Sequence, residues 1–318
     1  MMKYDYDVIV LGAGPVGSYC AYLASNKGLK ALLVEATNKN GGQPLNLYAY
    51  KQIVDFPLFS SISAIDFVNK INEQLATEKK VETIYNTKMT DFEIKDDVIY
   101  CHFNDKVIIA KNIIIATGNG IFSPNLLEIP GSLNHPDVEY IVRPYSHYEN
   151  KEVVILGGGD SAVDWANNIA KNTNAKINII HRRDVFRANG ENVDCLAKNN
   201  VNVYLNKQCL KIEGNILYFK DNVSAKEENI KLDKLIVQYG QKIDVNPPQY
   251  IQKLEHTPAN KIIVNHSQMS NINGIYAIGN ACFYNNRPNL IVAGMGEAAM
   301  AINDILIKIK KYDEHKIA

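Results

Sequence analysis

Two stretches of this chain, YDVIVLGAGPVGSYCAYLA (residues 6–24) and VVILGGGDSAVDWANN (residues 153–168), share one construction. Each runs an apolar strand into a glycine turn and out into a helix. Gly12, Gly14 and Gly17 form G-x-G-x-x-G, and Gly157, Gly159 and Ala162 form the G-x-G-x-x-A variant. The first glycine of such a turn permits the sharp bend. The second lets the backbone approach a pyrophosphate, and the third position lets helix and strand pack closely. Backbone N–H groups and the helix dipole then hold the phosphate charge. A chain carrying this unit twice is constrained to an α/β fold with two Rossmann-like dinucleotide-binding domains.

The rest of the chain agrees with that constraint. DVIVLG (7–12), KALLVE (30–35), AKNIIIATG (110–118), EVVILGG (152–158), KINIIHRR (176–183), KLIVQYG (234–240) and GIYAIGNA (274–281) read as strands. Helices are expected to about Lys27, to about Asn172, and from about Gly296 to Lys311. Strands alternating with helices imply parallel sheets covered on both faces. Turn-rich stretches at 118–137 and 239–249 flank the second unit, so the middle third reads as an insertion. The expected division is a discontinuous domain, 1–120 with 238–318, interrupted by a second domain at 121–237. Lys+Arg and Asp+Glu balance at 34 each, which leaves no global field to favour nucleic acid or an anionic membrane. Apolar runs are broken well short of the ~20 residues that span a bilayer. The five cysteines are dispersed, with no C-x-x-C, and no secretory signal is visible at the amino end. A soluble cytoplasmic protein is expected.

The two cradles differ at the end of the strand that follows. In the first that strand ends in Glu35, where a carboxylate accepts hydrogen bonds from ribose hydroxyls and repels a 2′-phosphate. The first cradle therefore prefers FAD or NAD(H). The loop NGGQPLNLYAY (40–50) follows, suited either to close backbone approach to a ligand or to service as a plain glycine loop. Tyr48 within it could stack on a ring or simply pack. In the second unit the chain reads HRRDVFRA, with Arg182, Arg183 and Arg187 where the first unit has its acid. Guanidinium forks match phosphate oxygens. One charge-assisted hydrogen bond of roughly 1.5–3 kcal/mol would favour NADPH over NADH about tenfold or more. The bland alternative is a solvated strand end, and His181 alone reads as structural.

Taken together, GAGPVG, GGQ followed by LY, ATG, GGGDSAVDWA, HRRDVFRA and GIYAIGNA…LIVAGMGEA resemble the two-domain flavoprotein reductases of the thioredoxin-reductase fold, over essentially the whole chain. The branch most similar is that of the thioredoxin-reductase-like ferredoxin (or flavodoxin)–NADP reductases. Thioredoxin reductases of this fold carry a C-x-x-C just upstream of the second glycine turn. Here that segment, IVRPYSHYENKEVVILGGG, has no cysteine, and a disulfide relay needs two thiols close enough to bridge.

The resemblance implies FAD on the first domain and NADP(H) on the second. For FAD it implies Gly12, Gly14, Pro15, Gly17 and Glu35 in the cradle and Gly42 and Gln43 along the flavin. It places Tyr48 on the isoalloxazine ring, Met89 near the adenine through its backbone, Thr117 and Gly118 where the chain leaves the domain, and Asn280 and Ala281 at the ribitol and phosphate. For NADP(H) it implies Gly157, Gly159, Asp160, Ser161, Arg182, Arg183 and Arg187. The helix starting near Gly296 would aim its amino end at the flavin pyrimidine. Two departures stand out. The family usually has Asp where this chain has Asn280, and after the last helix only YDEHKIA (312–318) remains where this branch usually carries an extension over the flavin. That tail is expected to fray, the alternative being that His315 approaches the ring.

The implied activity is hydride transfer from NADPH to flavin, then single-electron release to ferredoxin or flavodoxin, in a homodimer whose two domains rotate about linkers near 118–124 and 236–241. The cofactor carries the chemistry, so no catalytic side chain and no metal are needed. Two alternatives are a flavin oxidoreductase with a quinone, small disulfide or dioxygen as acceptor, and a non-catalytic redox sensor.

Overall fold

The computed structural model describes residues 4–104, 106–120, 122–243 and 248–317. Backbone contacts divide the chain into two units, Met1–Ile121 with Ile243–Ala318, and Phe122–Lys242.

The first unit is built around β1 (Tyr6–Leu11), which pairs in parallel with β2 (Ala31–Val34) on one side and β6 (Val107–Ile115) on the other. Val8, Ile9 and Val10 are fully buried. A central parallel strand is covered on both faces, which is why it reads as an unbroken apolar run. Beyond β2 lies β3 (Val81–Ile84), also parallel. Helix α1 (Pro15–Asn26) connects β1 to β2, and α2 (Ala64–Ala76) leads into β3. Ser63 caps α2, its hydroxyl accepting from the Asp66 N–H at 3.2 Å.

The sheet is not wholly parallel, which corrects the expectation from strand–helix alternation. β4 (Met89–Lys95), β5 (Val98–Phe103) and β6 form an antiparallel meander. Asp96 and Asp97 turn the first hairpin at φ 50° and 62°, the left-handed pair a tight two-residue turn requires. On the edge away from β1, β6 is long enough to serve two partners: its first half pairs with β5, and its second half pairs in parallel with the Ile275–Ala277 strand. Nor do helices cover both faces. Cys20, Ala21 and Ala24 of α1 and Ala298, Ala301, Ile302 and Ile305 of the last helix pack with Val8, Val10 and Leu33. Ile9, Leu11, Leu32 and Ile113 of the opposite face pack instead with Phe92, Phe103, Tyr250 and Ile251.

The last helix spans Ile291–Ile317, not Gly296–Lys311. Gly294 and Gly296 lower helix propensity by about 1 kcal/mol each, which hides the true start. Gly294 is there for contact: a Cβ would lie 2.6 Å from Val16 Cγ2 and 3.3 Å from the Gly279 Cα. The backbone stays helical to Ile317, so the expected frayed tail is corrected, while the His315 side chain lies outside the described residues.

The second unit contains β7 (Glu152–Leu156), α3 (Asp160–Asn172), β8 (Lys176–Ile180), β9 (Asn202–Tyr204) and β10 (Lys234–Val237). With the short Val138–Glu139 strand they form a fully parallel sheet, in the order 138–139, β10, β7, β8, β9. An antiparallel meander over 207–231 packs against it through Ile212, Leu217, Phe219 and Ile230. No helix among the described residues is long and apolar enough to cross a membrane.

Candidate functional site

The first cradle is closed by backbone proximity. Gly12 stands at φ 101°, and a Cβ there would lie 2.6 Å from the Ala116 carbonyl oxygen; a Cβ on Gly17 would lie 1.9 Å from the Gly12 oxygen. Gly14 is the N-cap of α1, with Pro15 at the first helical position and no side-chain cap among the described residues. The Gly41 N–H donates to the Ala13 carbonyl at 2.8 Å. A Cβ on Gly42 would lie 2.8 Å from the Gly14 Cα, so the two glycine loops touch backbone to backbone.

Glu35, only 9% exposed, braces this loop. Its Oε2 accepts the Ala13 N–H at 2.8 Å, and its Oε1 accepts the Thr37 N–H and hydroxyl at 2.8 Å each. A carboxylate offers roughly four acceptor positions, so about one remains for a ribose hydroxyl. Beside the cradle, Gln43 carries a buried Nε2 with no partner among the described residues, close to Gly118. Leaving such a donor unpaired costs about 1–3 kcal/mol. An orphaned amide beside an open glycine fits a ligand that carries acceptor oxygens.

Tyr48 is half-buried against the Ile53–Phe67 cluster that also takes in Ile291 and Met295, so it stands with the first turns of the last helix. Burial, then the charge of Asp55, pushes its phenol above the ordinary range. The last helix, which brings Ile291 and Met295 to this cluster, starts at Ile291, five residues upstream of the expected Gly296. Met89 turns its side chain into the core, and Thr117 is exposed.

The second cradle opens differently. Gly159 is the N-cap of α3, and a Cβ there would meet nothing within 4 Å. Ser161, on the first turn, is exposed. Gly157 has φ 148° and Gly158 lies flat against the His181 ring, where a Cβ would come within 2.3 Å of Cε1. His181 is 8% exposed and stacks on Phe186, and its Nε2 has no partner among the described residues. Burial first, then Arg183, Arg187 and Arg182, holds the imidazole below its ordinary value, against a backbone hydrogen bond at Val185.

Arg182, Arg183 and Arg187 are all exposed, and none makes an ion pair among the described residues. Their backbone is pinned instead. The Asn222 Nδ2 donates to the Arg182 carbonyl at 2.9 Å, the Asn206 N–H to the Arg183 carbonyl at 3.0 Å, and the Arg187 N–H to the Gly158 carbonyl at 2.7 Å. Asp160 accepts the Asn189 N–H at 2.9 Å, tying α3 to the arginine loop. Three unpaired guanidinium groups on a fixed backbone make a phosphate-sized positive field.

Sequence reasoning passed over two residues near Asn280. Glu297 is a buried acid on the last helix, and it meets Arg287, a lone cation in the preceding loop, at 2.7 Å. Ala281 is buried in the same turn. An acid inside the apolar run AGMGEAAMAI is the signal that was available.

All five cysteines are free. Burial pushes the Cys101, Cys209 and Cys282 thiols up to about 12, and Cys20 higher still. Thiols held protonated are poor nucleophiles.

The chain is 38% identical over 316 residues to a ferredoxin–NADP reductase of Mycoplasmoides gallisepticum, covering 96% of each. It is 34% identical to one of Streptococcus sanguinis, covering 99% of this chain and 98% of the relative. Among solved structures, a Lactococcus lactis thioredoxin reductase superposes with TM-score 0.69 at 26% identity, over 96% of this chain and 100% of its own. A thioredoxin reductase of T. acidophilum has the same fold, with TM-score 0.70 at 20% identity, over 95% and 98%. The model of the pyridine nucleotide-disulphide oxidoreductases matches residues 6–298, and the chain belongs to that family.

Proposed function

We propose that the protein is an FAD-dependent oxidoreductase passing electrons between NADPH and a small one-electron carrier protein, ferredoxin or flavodoxin. The observation that carries this reading is the asymmetry of the two cradles. A buried carboxylate closes the first, while three exposed, unpaired arginines end the matching strand of the second. FAD suits the first cradle, where Gly42 meets Gly14, Glu35 holds the Ala13 N–H between Gly12 and Gly14, and the orphaned Gln43 amide lies beside Gly118. NADPH suits the second, with its 2′-phosphate on Arg182, Arg183 and Arg187 and its pyrophosphate at Gly159 and Ser161. The chemistry supplied by bound FAD is acceptance of a hydride and release of its electrons one at a time. The chain binds, orients and discriminates. Two facts weigh against a disulfide acceptor: the segment before β7 lacks cysteine, and four of the five thiols are held protonated. A cytoplasmic homodimer completes the reading.

The test begins with purified protein reconstituted with FAD. NADPH added without oxygen bleaches the flavin absorbance, and ferredoxin or flavodoxin restores it faster than quinones or oxygen do. A flavin that stays oxidised contradicts the reductase reading, and faster turnover with a quinone moves the acceptor from a protein to a small molecule. In the Arg182→Ala, Arg183→Ala double variant the preference for NADPH over NADH falls about tenfold or more. Unchanged discrimination between the two nucleotides would remove the arginines from the site.

A further inference from the structure

The Arg287 guanidinium holds three side chains at once. Its Nε donates to Glu297 Oε1 at 2.7 Å and its Nη2 to Glu297 Oε2 at 3.2 Å, while Nη1 donates to the Asn280 Oδ1 at 3.3 Å and to the Asn289 Oδ1 at 3.4 Å. Glu297 is fixed in turn by the Gly279 N–H at 2.7 Å and the Tyr284 hydroxyl at 2.9 Å. The Arg287 and Glu297 side chains are 5% and 2% exposed, so water and salt do little to loosen them.

This arrangement decides which way the Asn280 amide faces. A guanidinium only donates, so the atom turned toward it must be the amide oxygen. With that oxygen engaged, the side chain offers its N–H groups to whatever binds at the Gly279–Ala281 turn. That turn packs on Val16 in the first turn of α1, at the mouth of the first cradle: a Cβ on Gly279 would lie 3.5 Å from Val16 Cγ1. A Lys at 287 is a point charge on a flexible stem and could not grip a carboxylate with two nitrogens while spanning to a second acceptor.

We propose that Arg287 is a positioning residue for the dinucleotide of the first cradle. It turns Asn280 so that the amide donates to an oxygen of FAD, and Glu297 locks Arg287 in that pose. This rests on the assignment of FAD to the first cradle.

The test titrates FAD into apoprotein, read by flavin fluorescence, alongside the urea unfolding midpoint of the same samples. Arg287→Lys keeps the charge and loses the fork; its FAD dissociation constant rises about tenfold while the midpoint falls less than in Arg287→Gln. Arg287→Gln strands the buried Glu297 carboxylate and lowers the midpoint. Adding Glu297→Gln removes the second charge, so the double variant regains stability but not FAD affinity. Asn280→Ala weakens FAD to the same degree, and Arg287→Lys placed on that background weakens it no further. The proposal fails if Arg287→Lys binds FAD as the wild type does, if affinity and stability return together in the double variant, or if the Asn280 and Arg287 effects simply add. Wild-type apoprotein that takes up no FAD would instead contradict the cofactor assignment itself.

Discussion

Gly158 shows how a single hydrogen atom can be the only side chain a position tolerates. The His181 ring lies where its Cβ would be, within 2.3 to 2.5 Å at Cε1, Nδ1 and Nε2. Gly159, its neighbour, has open space where its own Cβ would be. Gly158→Ala should therefore force the imidazole off Phe186 and shift the arginine loop, whose Arg187 N–H is bonded to the Gly158 carbonyl. Overpacking of this kind costs about 1–3 kcal/mol, and it should lower the melting temperature and weaken NADPH together. Adding His181→Ala makes room for the methyl and should recover most of the lost stability. A Gly158→Ala protein that melts like the wild type would show that the ring moves aside freely. The glycine pattern and the arginines at 182, 183 and 187 are visible in the sequence because each is a short contiguous run. The partnership of Gly158 with His181 is not, because it joins a turn to the end of another strand. The same holds for Arg287 and Glu297, and for Gly41 with Ala13.

The carboxy-terminal helix illustrates the competition between local propensity and packing. Its first turns carry Gly294 and Gly296, which argue locally for a later start, yet the helix begins at Ile291. The close approach of Gly294 to Val16 and Gly279 is what the weak propensity makes possible. Gly294→Val tests which effect rules. The added atoms would meet the Val16 side chain in α1, and the helix would have to withdraw from the first cradle. The expected cost is about 1–3 kcal/mol in urea unfolding, with FAD affinity reduced more than Gly296→Val reduces it, since Gly296 has nothing within 4 Å. Equal effects at the two glycines would mean that only propensity is at work. Hairpins fared differently in the sequence. The Asp96–Asp97 turn carries its own signature, but the meander it starts was hidden by the expectation that strands alternate with helices.

At the scale of the whole molecule, the strand–glycine–helix units announce the parallel core of each main sheet because such strands are buried on both faces and read as plain apolar runs. Among the antiparallel additions β5 is mostly buried, but β4 in the first unit and the 207–231 meander in the second are partly exposed and mix polar with apolar residues. They are correspondingly harder to place. The segment after 243 belongs with the first unit for the same physical reason that makes it hard to foresee: its partners lie far upstream, with Ile275–Ala277 beside β6 and Ala298, Ala301, Ile302 and Ile305 against α1.

That return of the chain has a consequence for synthesis. As the polypeptide leaves the ribosome, the parallel sheet of the segment 122–242 is complete once Val237 emerges, whereas the sheet begun by β1 must wait for residues translated much later. Until Ile275–Ala277 and the final helix arrive, the face of α1, β1 and β6 that packs on Ala298, Ala301, Ile302 and Ile305 lacks that cover. The inserted unit is thus the first to become complete, and the nascent amino-terminal third is the part most in need of chaperones.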